Sequence, residues 1–208
     1  MTRRAAALLV LACAAVGVAG GVVLHELVRP ASTPAAPNLP ELHGQAVWAA
    51  GTRSAPAFAL RDQTGRLVTP ASLRGRTAVL TFLDSHCTSS CPLVGRELAW
   101  VVRGLPQADR PTIVVISVNP KDTPRSARAA ARRWGLPTGW HWLLADRAKL
   151  APVWKAYGIT VIPRTHDIAH SVAVYLLDRH GGERAGYLFP FQPPFVQHDL
   201  RALAAERT

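Results

Sequence analysis

Residues 77–105 read TAVLTFLDSHCTSSCPLVGRELAWVVRGL. Thr77 to Leu83 form an unbroken, largely apolar run with β-branched side chains, the pattern of a strand buried on both faces. Beyond Pro92, apolar residues recur at 93, 94, 98, 101, 102 and 105, a helical stripe. Pro92 suits the first turn of that helix, where the missing N–H costs no intrahelical bond. Cys87 and Cys91, with three residues between them, therefore sit where a buried strand hands over to a helix.

The same alternation continues downstream, with no internal repeat. Thr112 to Val118, TIVVISV, reads as a second buried strand, and DTPRSARAAARRW as a helix with Thr123 as N-cap and Pro124 at its first position. HWLLAD is a third strand, RAKLAPVWKAYG a helix begun or interrupted near Pro152, and PFVQHDLRALAAER a closing amphipathic helix. HSVAVYLLDRHGGERAGYLF reads as a hairpin with its turn at Asp178 to Gly182, so that His170 opens its first strand. This order predicts an α/β fold, a thioredoxin-like three-layer sandwich with a central mixed sheet, over residues 56–208.

Ahead of that domain, Arg3 and Arg4 precede twenty uncharged residues, Ala5 to Leu24. At ~1.5 Å rise per residue they span about 30 Å, the thickness of a bilayer's hydrocarbon core. Residues 1–29 read as a transmembrane helix with a positive inner flank, with lipidation at Cys13 or a cleaved signal as the alternatives. Residues 30–55, punctuated by Pro30, Pro34, Pro37 and Pro40, read as a tether. The domain is then expected on the extracytoplasmic side of a bacterial-type cytoplasmic membrane. The net charge of +11 is spread over scattered arginines, and in that compartment it suits anionic lipid or an acidic protein rather than nucleic acid. Arg125, Arg128 and Arg132 share one helix face, which reads as a solvated surface.

At a helix N-terminus, unpaired N–H groups and the macrodipole favour thiolate over thiol, and Cys91 is expected to feel them most. Such thiolates serve equally as soft metal ligands and as redox groups. A purely stabilising disulfide is disfavoured, because closing so short a loop restrains little of the unfolded chain. Two thiolates suit Cu(I), and an added imidazole lets the same site hold Cu(II). A closed zinc site needs a fourth protein ligand. With Cys13 in the anchor, a third ligand must be a histidine. His86 is expected to point away from the pair, His25 and His43 lie in the anchor edge and tether, and His180 lies in the hairpin turn. Of His166 and His170, His170 is preferred because a strand is the more rigid support.

The chain resembles the Sco/SenC family of membrane-anchored, thioredoxin-like copper chaperones that serve cytochrome c oxidase. The resemblance runs through FALRDQTGRLVTPASLRGRTAVLTFL, HCTSSCP, ISVNPKDTPRSA and HSVAVYLLDRHG, over residues 56–190. It implies copper-ligand roles for Cys87 and Cys91 in the C-x-x-x-C-P motif. It implies the third for His170, since His170-Ser171 precedes Tyr175-Leu176-Leu177-Asp178 as the family's histidine precedes its Y-L-x-D strand. His166 has no such match. Two departures stand out: Asn119 replaces an aspartate usual in the family, in a segment one residue shorter, and Asp84 stands where an aromatic or Thr-containing stretch is usual, which is expected to bring a carboxylate within reach of the thiols.

Two functions are therefore expected of this domain. One is a chaperone that carries copper, as Cu(I) or Cu(II), on Cys87, Cys91 and His170 to a partner such as a cytochrome oxidase subunit. The other is a thiol-disulfide oxidoreductase in which Cys87 attacks and Cys91 resolves. The peroxide-reducing relatives of this fold resemble P-x-x-x-T-x-x-C, which Leu80 and Asp84 do not satisfy.

Overall fold

Strand β4 (Ala78–Leu83) runs through the centre of a sheet with every residue buried. A computed structural model describes residues 41–165 and 168–206. Around β4 the chain places β1 (Ala46–Val47), β2 (Leu60–Arg61), β3 (Leu67–Val68), helix α1 (Ser90–Arg103), β5 (Thr112–Ser117), α2 (Pro124–Trp134), β6 (Trp140–Leu143) and α3 (Arg147–Ala156). It continues through β7 (Val161–Pro163), β8 (Ile168–His170), β9 (Ala173–Leu177), β10 (Glu183–Leu188) and α4 (Pro193–Ala205). The main sheet has the order β1-β10-β9-β4-β5-β6. β4, β5 and β6 are parallel, whereas β9 runs antiparallel to β4 and β10 antiparallel to β9. The sheet is thus mixed, as expected.

The period-2 alternation of a pleated strand sorts the core into two layers. Val79 and Leu83 of β4, with Ile113 and Val115 of β5, face a cluster completed by Val94 and Leu98 of α1, Ala130 and Trp134 of α2 and Leu200 of α4. Leu80 and Phe82, with Val114 and Ile116, face the opposite cluster under Leu150 and Trp154 of α3 and the β2–β3 hairpin. Three layers result. Helix α2 starts as read: Thr123 accepts from the Ser126 N–H, Ser126 reciprocates, and Pro124 occupies the first turn. Helix α3 runs straight through Pro152 from an Asp146 cap.

Three expectations need correction or restriction. Residues 43–55, read as the end of the tether, are fastened to the domain. β1 pairs with β10, the Trp48 N–H donates to the Arg184 carbonyl at 3.0 Å, and the Arg53 carbonyl accepts from Glu183 at 2.8 Å. With only two residues in the sheet, this segment carries no periodic signal. His170 does not open a strand of the main sheet. It ends β8, which pairs only with β7 in a separate two-stranded arm. Finally, among the described residues no helix is long and apolar enough to cross a membrane. The anchor at 1–29, Cys13, residues 30–40 of the tether and His166 lie outside the described residues.

Candidate metal and thiol site

At the end of β4 the chain turns through Asp84 to Ser89, with the Cys87 N–H donating to the Asp84 carbonyl at 3.3 Å. It then enters α1, whose N-cap, Ser89, makes no side-chain capping bond. The Cys87 sulfur takes over that role. It receives the backbone N–H groups of Ser89 and Cys91, and the Ser89 hydroxyl lies 3.5 Å away. A helix start left open by its own cap residue is thereby satisfied by a sulfur.

The two cysteines, both free, consequently differ. The neighbouring Cys91 thiol, with the Ser89 hydroxyl and the two backbone N–H groups, holds the Cys87 thiol down to about 5 against the effect of burial. Cys91 is pushed far up, first by the Cys87 sulfur beside it, then by burial and by the negative charges of Cys87 and Asp84. This reverses the expectation that Cys91 would be the more acidic. Cys91 stands in the first helical turn but is wholly buried, while Cys87 keeps 9% of its surface exposed.

His170 reaches this pair from the β7–β8 arm, held in register by Val161 opposite it. Its Nε2 lies 3.5 Å from the Cys91 sulfur and its Nδ1 lies 3.0 Å from the Ser171 carbonyl. A carbonyl only accepts, so Nδ1 carries the proton and Nε2 presents a lone pair to the Cys91 sulfur, the orientation of a ligating imidazole. The Cys91 sulfur and the His170 nitrogen stand together with Cys87 one helical turn away, and the three donor atoms do not all lie within 4.8 Å of one another, so an ion would draw them in; two thiols and an imidazole are a donor set that fits a soft or borderline ion such as copper. Asp84 opens the same loop, and its Oδ1 accepts from the His86 N–H at 2.8 Å and the Asn119 amide at 3.1 Å. The His86 ring turns to Asp122 at 3.1 Å, away from the thiols as expected. Asp122, pushed up by burial, also accepts from Ser85 and Ser117 and so braces the loop.

Beside Cys87 opens a groove of about 970 Å³ lined by His86, Arg96, Arg125 and Arg133. Arg96 comes from α1 and the other two arginines from α2, so only the packing of the two helices brings them together. Of the cluster read from sequence, Arg125 lines this groove, whereas Arg128 is engaged by the Gln63 carbonyl at 2.7 Å.

A buried thiol pair at a strand–helix corner, faced by an imidazole on a separate arm, defines a thioredoxin-like domain built for soft-ligand chemistry. The family model SCO1/SenC matches residues 49–204, and the chain belongs to that family. Its fold is similar to that of copper-bound ScoI from Bradyrhizobium japonicum, with 27% identity over 72% of this chain and 99% of that one and a TM-score of 0.63. A SCO1/SenC family lipoprotein from Bacillus anthracis str. Ames is 20% identical over 73% of this chain and 95% of its own, with a TM-score of 0.66. BsSco, a member of the Sco family of cytochrome c oxidase assembly proteins in which a disulfide switch has been identified, is 19% identical over 74% and 95%, with a TM-score of 0.62. No curated protein matches the chain.

Proposed function

We propose that this chain is a membrane-anchored copper chaperone of the extracytoplasmic face, which carries one copper ion on Cys87, Cys91 and His170 to a cytochrome oxidase subunit. The observation that supports it best is the approach of the His170 Nε2, its Nδ1 already engaged, to within 3.5 Å of the Cys91 sulfur. Family membership and the copper bound by the Bradyrhizobium relative agree with it. Copper is the cargo here. Cys87 offers a thiolate at once, Cys91 gives up its proton to solvent as the ion binds, and His170 closes the site from its arm. The cysteines stand on the β4–α1 corner and the imidazole on a two-stranded arm, so release begins at His170. The arginine groove beside Cys87 suits an acidic face of the acceptor. The uncharged stretch Ala5 to Leu24 after Arg3 and Arg4 serves as the anchor, residues 30–55 link it to the domain, and residues 56–208 form the working domain.

The asymmetry of the thiols favours a second activity of the same site. The Cys87 thiolate attacks a disulfide of the acceptor and expels one acceptor thiolate. Cys91, on losing its proton, attacks the Cys87 sulfur and expels the other. The pair ends oxidised, and the acceptor, reduced by two electrons, has both ligands free for metal. Anaerobic Cu(I) titration against a competing chromophoric chelator tests the ligand set: one tight equivalent per chain is expected, and its retention in the double variant Cys87→Ser, His170→Ala would overturn the assignment.

A further inference from the structure

Away from the thiols, three side chains of metal-ligating type from opposite ends of the sequence meet beside α4. His43 enters from the segment before β1, and His198 and Asp199 lie within α4. The Asp199 carboxylate is wholly buried, whereas the His43 and His198 side chains are 33% and 54% exposed. The Asp199 Oδ1 lies 3.0 Å from the His43 Nδ1 and 3.3 Å from the His198 Nδ1. The Tyr187 hydroxyl donates to Oδ2, and the His43 backbone N–H lies 3.0 Å from Oδ1 and 2.8 Å from Oδ2.

We propose that His43, His198 and Asp199 form a second metal site, for a borderline divalent cation such as Zn(II) or Cu(II). Four features carry it. The carboxylate is aimed: Tyr187 and the His43 amide fix its plane and turn Oδ1 toward both rings, as outer partners orient a ligating carboxylate. The rings are aimed as well. His43 stacks on Phe195 with centroids 4.8 Å apart and planes 15° apart, and meets His198 edge-on at 4.5 Å. The spacing fits, since ligands bonded at ~2.0–2.2 Å lie about 3.0–3.5 Å from one another around a four- to six-coordinate ion. Lastly, hydrogen bonding alone does not need the full set. Tyr187, the His43 amide and the His43 ring already satisfy Asp199, and His198 is a further donor aimed at the same oxygen.

Two imidazoles and one carboxylate select against Mg(II) and Ca(II), which take oxygen ligands, and favour Zn(II), Cu(II) and Ni(II). Three protein ligands leave a position open, and the exposure of both rings lets water fill it. The site is therefore one that exchanges its metal. It shares no residue with the thiol site and stands whether or not that site carries copper.

The test uses the full-length, tag-free chain bearing Cys87→Ser, Cys91→Ser and His170→Ala, so that the thiol site cannot compete. Calorimetric titration with Zn(II) is expected to show one equivalent, weakened at least about tenfold by His198→Ala and by His43→Ala. With Cu(II), electron paramagnetic resonance is expected to show coupling to two imidazole nitrogens, reduced to one in His198→Ala. His198 is exposed, so its replacement leaves the fold intact even if loss of His43 loosens the β1 segment. The proposal is overturned if no Zn(II) binds, or if affinity and nitrogen coupling are unchanged in His198→Ala.

Discussion

The Asn119 side-chain amide donates to the buried carboxylate of Asp84 at 3.1 Å. These two residues, read from the sequence as departures from the family's motifs, meet each other. An aspartate at 119 would bring a second carboxylate against the first, beside Asp122 and the Cys87–Cys91 loop. The amide at 119 thus gives the carboxylate at the end of β4 a neutral donor from the turn after β5.

Asn119→Asp is expected to cost about 1–3 kcal/mol at pH 7, read by urea unfolding, because it removes the donor and adds a like charge. Repulsion raises a carboxyl pKa in the folded state above its unfolded value. The penalty is therefore present at neutral pH and relieved as pH falls through the raised value. Unchanged stability at pH 7 contradicts the pairing.

The Cys87 thiol, held down to about 5 against an ordinary value of 9.0, is expected to be alkylated by iodoacetamide in the reduced, metal-free protein at pH 6, where Cys91 stays unmodified. Ser89→Ala removes one donor and is expected to move the midpoint of this reactivity upward. The depressed folded value means that Cys87 contributes stability fully present above pH 9 and lost as pH falls toward 5. Equal labelling of both cysteines at pH 6 contradicts the asymmetry.

The arginine groove gives a charge-selective rate. Arg125→Glu is expected to slow the reaction of Cys87 with a dianionic aromatic disulfide severalfold at low salt, with little effect on a neutral dipyridyl disulfide. The difference is expected to shrink as salt is raised. Equal slowing of both reagents points instead to a disturbed loop.

Gly95 lets α1 close on α2. A Cβ there would lie 2.5 Å from a ring carbon of the buried Trp134. Gly95→Ala is expected to destabilise the domain by about 1–3 kcal/mol in urea unfolding. It should also widen the groove that Arg96 shares with Arg125 and Arg133.

Much of this frame was legible from local pattern. The strand-to-helix passage around the cysteines, the Thr123-Pro124 helix start and the Asp178 to Gly182 turn all rest on neighbours in sequence, and the structure has them as read. What escaped depends on contacts distant in sequence. The β1 segment has two paired residues and holds the sheet edge through bonds to residues more than a hundred positions away. The order of thiol acidity turns on the Cys87 sulfur replacing the cap of α1, which helix position alone does not reveal. His170 lies beside Cys91, but its support is a three-residue strand too short to leave a pattern. His43 read as tether because its partner, Asp199, lies 156 residues further on.

The central claim is that two sulfurs and one imidazole grip a single copper ion. X-ray absorption of the chain loaded anaerobically with one equivalent of Cu(I) tests it most directly. Two sulfur scatterers and one imidazole nitrogen are expected in the first shell, the nitrogen disappearing in His170→Ala and one sulfur in Cys87→Ser. A copper shell without imidazole in the unaltered chain, or one that His170→Ala leaves unchanged, would contradict it.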